Sequence, residues 1–319
     1  MGCVNLIGSG LLSPLGMYPR HTLVVDGGSS LAVDRPGGGT VRHPLKTIRY
    51  AVAIALADTL VLALPGHTET IDQDNWTWNA EGIWVRGLGP GGRRPTLTFT
   101  TSVDATLQIN RSNSVLENLL FVNDVNGLTY GIQGARQDAE STTITGVCLY
   151  DIEYRDLADK ETATPIILLS NAYVVDGLRI IGNVGQSLGT RGLVGNRGTD
   201  VLIRNFHIDG YYPQGPIRNV VGPELNKVID GGEGSYIWQR SSEDCDLAID
   251  VDTACTGSIN GPIRIRLATD TNNIDECIRE HGDPGPDMQF YNKGANIISV
   301  VNADGESGCP WPGTPSVDE

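Results

Sequence analysis

The chain has 319 residues, of which 39% are hydrophobic and 6% aromatic, and its formal net charge is −15. A hydrophobic share of this size supports a packed core and excludes a wholly disordered chain. The negative charge disfavours nucleic-acid binding, because counterion release at a phosphate backbone requires clustered Lys and Arg. It also disfavours adhesion to anionic membranes. No apolar stretch approaches the roughly 20 residues that span a bilayer.

The N-terminal residues lack the basic region and the long apolar core of a secretory signal peptide, so we expect cytoplasmic synthesis. The cysteines show no CxxC pair and no companion histidine at zinc-finger spacing; they are Cys3, Cys148, Cys245, Cys255, Cys277 and Cys309. Most are expected to be plain thiols, with Cys148 buried. Bridges joining Cys245 to Cys255, or Cys277 to Cys309, stay open for a mature protein outside the cell.

The first segment in chain order, residues 1–21, is predicted to be an extended arm. Glycine and proline interrupt it, and it has too few periodic apolar positions to fold alone, so it needs a partner surface. A short strand is predicted at Thr22 to Val25, and the glycine-rich stretch from Asp26 to Gly39 is predicted to be a loop.

A helix is predicted over residues 44–57. Proline stands at its first position, where the missing N–H costs nothing. Leu45, Ile48, Val52 and Leu56 then follow at steps of three and four, which is the spacing of one apolar helix face. The helix lies directly before the first of many predicted strands, in a position to cover the start of a sheet.

A local pattern of apolar residues around a Gly or Asn recurs through the rest of the chain. Intervals of 28 or 31 residues separate the successive markers Gly87, Asn118, Gly146, Gly177 and Asn205. Gly261 lies at twice the shorter interval, so a further marker is predicted near position 233. Such a period predicts stacked units that complete one another's cores, with Gly or Asn at a corner that requires a positive φ.

We therefore predict an all-β fold, a single right-handed parallel β-helix over residues 22–303 with the helix 44–57 as its N-terminal cap. Open ends of a solenoid expose core and unpaired strand edges, so a cap is expected at each end. A short helix from Asn272 to Arg279 is the candidate for the second cap. Residues 304–319 are predicted to be a C-terminal tail, because they are rich in Gly and Pro and lack a core pattern.

The string DTLVLALPGHTETI, from Asp58 to Ile71, resembles the first turn of a phage-encoded, pectin-lyase-like family of right-handed parallel β-helices among virion structural proteins. Strings at 87–99, 115–122 and 313–317 are similar to that family too, so the resemblance covers most of the chain. The resemblance implies a virion component, on the outer surface of the head or in the tail. The periodicity alone predicts only the solenoid.

Many β-helices cleave polysaccharides, so catalytic residues have to be considered. Lyases of this fold act with a basic residue on a calcium-bound acidic sugar, and this chain lacks the Asp-His pair and the Arg-x-Pro-x-x-Arg string that would resemble theirs. The nearest approach, Arg93-Arg94-Pro95, is predicted to be a turn. The glycines between 87 and 92 lack the Lys-Ser/Thr and the following helix of a phosphate-binding loop.

Two pairs of carboxylates lie two residues apart on predicted strands: Asp151 with Glu153, and Asp250 with Asp252. This spacing points both members to one face, and a hydrolase requires two carboxylates about 5 to 10 Å apart. Acidic residues that alternate with apolar ones are also what a half-exposed strand shows, so neither pair is assigned to catalysis or metal binding. Asp250 and Asp252 also lack the Gly and terminal Glu of a calcium loop.

His67 and His207 have no neighbouring nucleophile motif, so we predict that His67 is a turn residue and that His207 faces outward from a strand. Trp76 and Trp78 lie on one face of their segment, where packing or protein contact is favoured over stacking on a sugar. We therefore assign no catalytic, cofactor-binding or metal-binding residue and expect no cofactor.

The favoured hypothesis is a head decoration, or cement, protein that stabilises a phage capsid, rather than an enzyme. It would bind the major capsid protein and copies of itself as a trimer, with residues 1–21 as a grip, and neither nucleic acid nor membrane. The alternative is a tail spike or fibre that binds, and could also cleave, host surface polysaccharide. A cluster of surface Trp, Asp and Glu in one groove would favour the alternative. A secreted pectinase-like enzyme is disfavoured by the missing signal peptide and lyase motif.

Overall fold

The computed structural model of the chain describes residues 19–72, 76–134, 144–183, 189–195, 198–219, 226–232, 234–240, 248–252, 255–267, 278–281, 288–291, 299–301 and 307–308. Strands dominate these residues, and they pair in parallel except for the last pair, which is antiparallel. The chain is therefore an all-β parallel solenoid. The described residues contain very little helix, one α-helix and one short 3-10 turn at Gly91–Arg93.

The strands in chain order are β1 (His21–Val25), β2 (Thr59–Ala63), β3 (Thr68–Ile71), β4 (Trp84–Gly87), β5 (Thr96–Phe99), β6 (Leu107–Ile109), β7 (Val115–Glu117), β8 (Leu120–Asn123), β9 (Leu128–Gly134), β10 (Cys148–Tyr150), β11 (Glu153–Asp156), β12 (Thr162–Leu168), β13 (Val174–Asp176), β14 (Arg179–Ile181), β15 (Leu193–Gly195), β16 (Leu202–Arg204), β17 (His207–Gly210), β18 (Ile217–Asn219), β19 (Lys227–Asp230), β20 (Ser235–Gln239), β21 (Ile249–Asp252), β22 (Gly257–Asn260), β23 (Ile263–Leu267), β24 (Ile278–His281), β25 (Met288–Tyr291), β26 (Ser299–Val301) and β27 (Ser307–Gly308).

The described strands form three sheets, and the chain passes through them in rotation. The first sheet has the order β1-β2-β4-β7-β10-β13-β16-β19-β22-β25. The second has the order β3-β5-β8-β11-β14-β17-β20-β23-β26-β27, and the third has the order β6-β9-β12-β15-β18-β21-β24. Each turn of the solenoid thus adds one strand to each sheet, which is the stacking that the repeat in the sequence predicts.

The core is built from columns of like residues on successive turns. Side chains of a strand alternate between the interior and the outer surface, so every second residue enters the core. In the first sheet the register stacks Val61, Val85, Leu116, Leu149 and Val175, each at most 1% exposed. In the second sheet Phe99 and Phe121 stack with ring centres 6.1 Å apart. Burial of each such side chain contributes about 1.5 to 3 kcal/mol.

Two columns of residues with positive φ flank the first sheet. The column before the strands contains Asp58, Gly82, Asn113, Gly146, Ala172, Asp200 and Asn226, and the column after them contains Asn118, Asp151, Gly177 and Asn205. The backbone N–H of one member donates to the next turn, as from Gly146 to the Asn171 carbonyl at 2.9 Å. The predicted marker Gly146 therefore belongs to the other column, and Asp151 occupies the place assigned to it.

The helix α1 spans Ile48–Ile54 and is shorter than the predicted helix 44–57. Its N-terminal cap is Thr47, whose hydroxyl accepts from the Tyr50 N–H at 3.1 Å. The preceding residues are extended because Leu45 forms a parallel bridge with Val25 of β1. The buried side chains of the helix include Ala51 and join the main core, and the helix contacts β1 and β2.

Several predictions fall outside the described residues, including those on residues 1–18 of the arm and on Cys3, Cys245, Cys277 and Cys309. Both possible cysteine bridges include at least one of these cysteines and therefore also lie outside the described residues. Cys148 and Cys255 are buried.

The predicted second cap is wrong at its end, because Ile278 begins strand β24 beside β21; residues 271–277 are not described. Within the predicted tail, Ser307–Gly308 pairs with β26. The helix among the described residues is too short to cross a membrane.

Candidate functional site

The outer surface of the second sheet, from β11 to β23, carries charged and aromatic side chains that we call the arginine–aromatic face. Its members are Glu153, Arg155, Arg179, His207, Asp209, Tyr236, Trp238, Arg240, Arg264 and Arg266. They point outward because the alternate positions on the same strands enter the core, as Ile208 and Ile237 do. The sequence analysis identified only Glu153 and His207 from this set.

Trp238 is the aromatic centre of the face. The guanidinium carbon of Arg240 lies 3.5 Å from the centre of the indole ring, and that of Arg266 lies 4.5 Å from it. Asp209 accepts hydrogen bonds from both Nε and Nη2 of Arg240, the latter at 2.8 Å. These bonds raise the pKa of Arg240, so its charge is retained. Cation–π contacts at exposed sites contribute about 0.5 to 1 kcal/mol each, so the indole and both guanidiniums form one ordered unit.

Glu153 lies at the N-terminal end of the face and is held by three arginines. Its side chain is 12% exposed; Arg94 Nη1 lies 3.5 Å from Oε2, and Arg179 Nη1 lies 3.7 Å from Oε1. Arg155, on the same strand, also pairs with Oε1. Because arginines from other turns of the solenoid lie beside its carboxylate, Glu153 is suited to holding these turns together by ion pairs.

His207 faces outward, as predicted, and its ring centre lies 5.1 Å from that of Tyr236 on the next strand. Burial lowers the pKa of His207, the charge of Arg179 lowers it further, and Asp209 opposes both effects. The imidazole is therefore neutral at pH 7. Five arginines and two carboxylates then give the face a formal charge of +3, opposite in sign to the −15 of the whole chain.

A groove of about 530 Å³ lies at the corner between the first and second sheets. It is lined by Arg86, Gly87, Leu88, Gly89, Pro90, Gly91, Arg94, Glu117, Asn118 and Asp151. A side chain at Gly87 would clash with the Asn118 carbonyl, so glycine is required where the two turns approach each other. The prediction of a turn at Arg93-Arg94-Pro95 is confirmed, but Arg94 also lines this groove, which the sequence analysis missed.

Two carboxylates of the groove have raised pKa values. Burial raises the pKa of Glu117 against the opposing effects of Arg86 and of the Trp84 indole N–H, which donates to Oε2 at 2.9 Å. Burial and the charge of Asp176 raise the pKa of Asp151, and Arg94 opposes them. Raised carboxyl pKa values in a groove are typical of acid–base sites, although structural ion-pair networks show them too.

Strand alternation does not align the predicted pair of Asp151 and Glu153. Asp151 has a φ of 50° at the corner, so it leaves the strand geometry that would align it with Glu153. Asp250 is fully buried rather than exposed, and its Oδ2 lies 3.2 Å from Arg218 Nε. The side chain of Asp252 lies outside the described residues. The two carboxylates that the fold does bring to one groove, Glu117 and Asp151, are 34 positions apart in the sequence.

His67 is a turn residue, as predicted, because its N–H donates to the Leu64 carbonyl at 3.1 Å, but its side chain is fully buried. Its Nδ1 accepts from the Gly27 N–H at 2.9 Å, so Nε2 carries the proton toward Glu69 Oε2 at 3.2 Å. The Glu69 carboxylate also accepts the N–H groups of Ile48 and Arg49 at the start of α1, at 2.6 and 3.1 Å. His67 thus joins the loop after β1, strand β3 and the helix.

Trp76 and Trp78 are at most 2% exposed and belong to the main core, so the prediction that they pack inside the protein is confirmed. Neither can stack on a sugar from this position. Across the described ranges, no three His, Cys, Asp or Glu side chains are grouped so that they could hold a metal ion.

Comparisons of the chain with protein-family models, with curated proteins and with solved structures give no match.

Proposed function

We propose that this chain is a structural protein of a phage virion, a head decoration protein that stabilises the capsid from its outer surface by binding neighbouring protein subunits. The arginine–aromatic face is the observation that carries this proposal. Arg, Trp and Tyr are the residues most enriched at the centres of protein interfaces, and here all three lie on one outer sheet surface. Asp209 and Glu153 on this face are engaged by arginines, which suits binding better than acid–base chemistry.

We also propose that the solenoid is right-handed and that α1 is its N-terminal cap. Crossover connections between parallel strands of one sheet are right-handed in almost all proteins, which supports a right-handed β-helix. A role for α1 as the N-terminal cap is supported by its contacts with β1 and β2 at the edge of the first sheet.

The phage origin rests on the resemblance of the string from Asp58 to Ile71. Two residues of that string, His67 and Glu69, have a structural role here, because they attach the helix and the loop after β1 to the first turn. The proposed partners are the major capsid protein and further copies of this chain, and the proposed location is the outer surface of the head.

The first test is the copy number of this polypeptide relative to the major capsid protein in purified particles. Hundreds of copies per particle are expected for a decoration protein. A few copies would place the chain in the tail instead, and its absence from particles would refute a virion role. Particles assembled with the Arg264→Glu/Arg266→Glu variant should contain less of the protein than wild type, because the variant reverses charge on the proposed contact surface.

A tail protein that binds host polysaccharide is the second candidate function, and the corner groove favours it. The groove places acceptors on Glu117 and Asp151 beside donors on Arg86 and Arg94. The Nε of Arg94 is buried and has no hydrogen-bond partner among the described residues. Hydroxyl groups of a sugar donate and accept at once and would satisfy both kinds of group.

Calorimetric titration with oligosaccharides prepared from the host surface tests this candidate. Binding that is lost in the Asp151→Ala variant and kept in Asp104→Ala, an exposed control that does not line the groove, would support it. Absence of binding to wild type would remove the groove from consideration as a sugar site.

A further inference from the structure

We infer that the second sheet is a self-association surface, through which two copies of this chain pair antiparallel about a twofold axis. This inference rests on the proposed function, because it names the partner of the arginine–aromatic face. Side chains of different kinds are unequally distributed along this one sheet, which runs through eight successive parallel strands from β3 to β23.

The N-terminal half of the outer surface of this sheet is uncharged. The outward positions on β3, β5 and β8 form the threonine half, which consists of Thr68, Thr70, Thr96, Thr98, Leu120 and Val122. The arginine–aromatic face begins on the next strand, β11, at the same two outward positions. One continuous surface is therefore divided into a neutral half and a half with a charge of +3.

An acidic corner borders the threonine half. It consists of the exposed side chains of Val103, Asp104, Asp124, Leu157 and Asp159, in the loops that follow β5, β8 and β11. These loops stack, because the Asp124 N–H donates to the Phe99 carbonyl and the Leu157 N–H donates to the Asn123 carbonyl, both at 3.1 Å. Val103 and Leu157 are 45% and 43% exposed. Lys160 also faces this corner, with its Nζ 3.9 Å from Asp124 Oδ1.

Charge complementarity selects a second copy of the chain as the partner. Two copies placed side by side in opposite directions put the arginine–aromatic face of each one against the threonine half and acidic corner of the other. A twofold axis makes this contact twice, because each copy presents both surfaces to the other copy. Two parallel copies would bring the two arginine–aromatic faces together, and these faces, each with a charge of +3, would repel each other.

The size of the surface is adequate for a dimer. Eight strands at a spacing of roughly 4.8 Å extend over about 38 Å, and a strand of four residues is about 13 Å long. A surface of this size buries about 500 Å² on each copy, or about 1,000 Å² in total, which is the lower bound of a specific interface. The acidic corner adds to this area. Trp238 and Tyr236 of the arginine–aromatic face supply aromatic anchors within the interface.

Charge reversal on either side tests the inference in solution. By light scattering after size exclusion, at about 50 mM salt, wild type is expected to have twice the 34.1 kDa mass of one chain. The face variant Arg264→Glu/Arg266→Glu and the corner variant Asp124→Arg/Asp159→Arg are each expected to be monomeric. The matched control Arg35→Glu/Arg42→Glu reverses two exposed arginines of the loop after β1 and should remain dimeric.

A mixture of the face variant and the corner variant decides the geometry. In a mixed pair, one contact joins the introduced glutamates to the introduced arginines, and the other joins the unaltered arginines to the unaltered aspartates. Both contacts are attractive, so dimers should return, and the four substitutions in one chain should restore dimers as well. Thermal unfolding like that of wild type would show that each variant is folded.

A monomeric wild type, dimers in both single variants, or a mixture that stays monomeric would overturn the inference. A wild-type mass of three chains would also overturn it, because a contact about a twofold axis joins two copies and not three. These results are separate from the copy number in particles: a wild-type monomer that is abundant in virions would refute the dimer and leave the decoration role intact.

Discussion

The imidazole of His67 and the carboxylate of Glu69 form a buried pair, with Nε2 3.2 Å from Oε2, and the same carboxylate receives two backbone N–H groups of α1. The Glu69 side chain is 5% exposed. One charged group therefore satisfies three donors that would otherwise be buried without partners, and such bonds are worth about 1.5 to 3 kcal/mol each.

Replacement of Glu69 by Ala should therefore lower the free energy of unfolding by about 3 to 5 kcal/mol, which equilibrium urea unfolding measures. Asp72→Ala is the matched control, because Asp72 is 55% exposed and only 3.7 Å from Arg49 at the surface. It should cost less than about 1 kcal/mol. Equal effects of the two substitutions would contradict the structural role of the His67–Glu69 pair.

Stability should depend on pH through Asp156. Burial raises its pKa from 3.8 to about 6, although Thr162 and Asn123 donate hydrogen bonds to the carboxylate and oppose the shift. The folded state therefore holds a proton that the unfolded state has released. The stabilising contribution is complete below the unfolded pKa of about 3.9 and is lost as the pH rises through about 6, by about 2 to 3 kcal/mol in total.

Urea unfolding at several pH values between about 4 and 8 measures this dependence, and Asp156→Asn should flatten it. Glu117 and Asp151, whose pKa values are also raised, act in the same direction. The exposed Asp104→Asn serves as a control and should keep the wild-type profile. A profile for Asp156→Asn that falls as steeply as wild type would show that this group does not cause the loss.

The corner columns predict opposite effects for two small residues. Ala172 has a φ of 51°, which costs a residue with a Cβ about 1 to 2 kcal/mol, so Ala172→Gly should stabilise the protein by up to about 1 kcal/mol. Gly177 has a φ of 77°, and a Cβ there would lie 2.5 Å from Asp151 Oδ1, so Gly177→Ala should destabilise it by about 1 to 3 kcal/mol. Thermal unfolding measures both effects, and stabilisation by Gly177→Ala would contradict the assigned column.

Removal of the charge on Glu153 should leave Arg94, Arg155 and Arg179 close together without their shared anion. We expect Glu153→Gln to reduce the free energy of unfolding by about 1 to 3 kcal/mol, and by more at low salt than at high salt. The exposed Asp159→Asn, away from these arginines, should have little effect. Equal stability of Glu153→Gln and wild type at low salt would show that the three ion pairs contribute nothing.

The solenoid could be predicted from the sequence because its period is carried by residues that recur at each corner. The error at Gly146 arose because Asp151 is the corner residue of that turn: Asp also tolerates a positive φ, but it is less diagnostic than Gly or Asn. The predicted helix extended too far because the apolar spacing includes Leu45, which pairs with β1 instead. Tertiary pairing there outweighs helical periodicity.

The candidate surfaces were largely beyond the reach of sequence patterns. Trp238 meets Arg266 and Asp209 only because turns of unequal length place them on adjacent strands, and a shift of one residue in any turn would turn them inward. His67 follows Pro65-Gly66, which is typical of a turn, yet the fold covers it with the loop after β1. The alternation of His207 with buried neighbours was sufficient to predict its outward direction.

The parallel stacking described above makes the molecule mechanically anisotropic. Covalent bonds run around the solenoid, whereas the hydrogen bonds of the three sheets and of the corner columns run along its axis. A load along the axis therefore acts on hydrogen bonds, which peel apart turn by turn, and a load across the axis acts on the polypeptide backbone itself. Such a rod resists stretching across its axis far better than lengthwise extension.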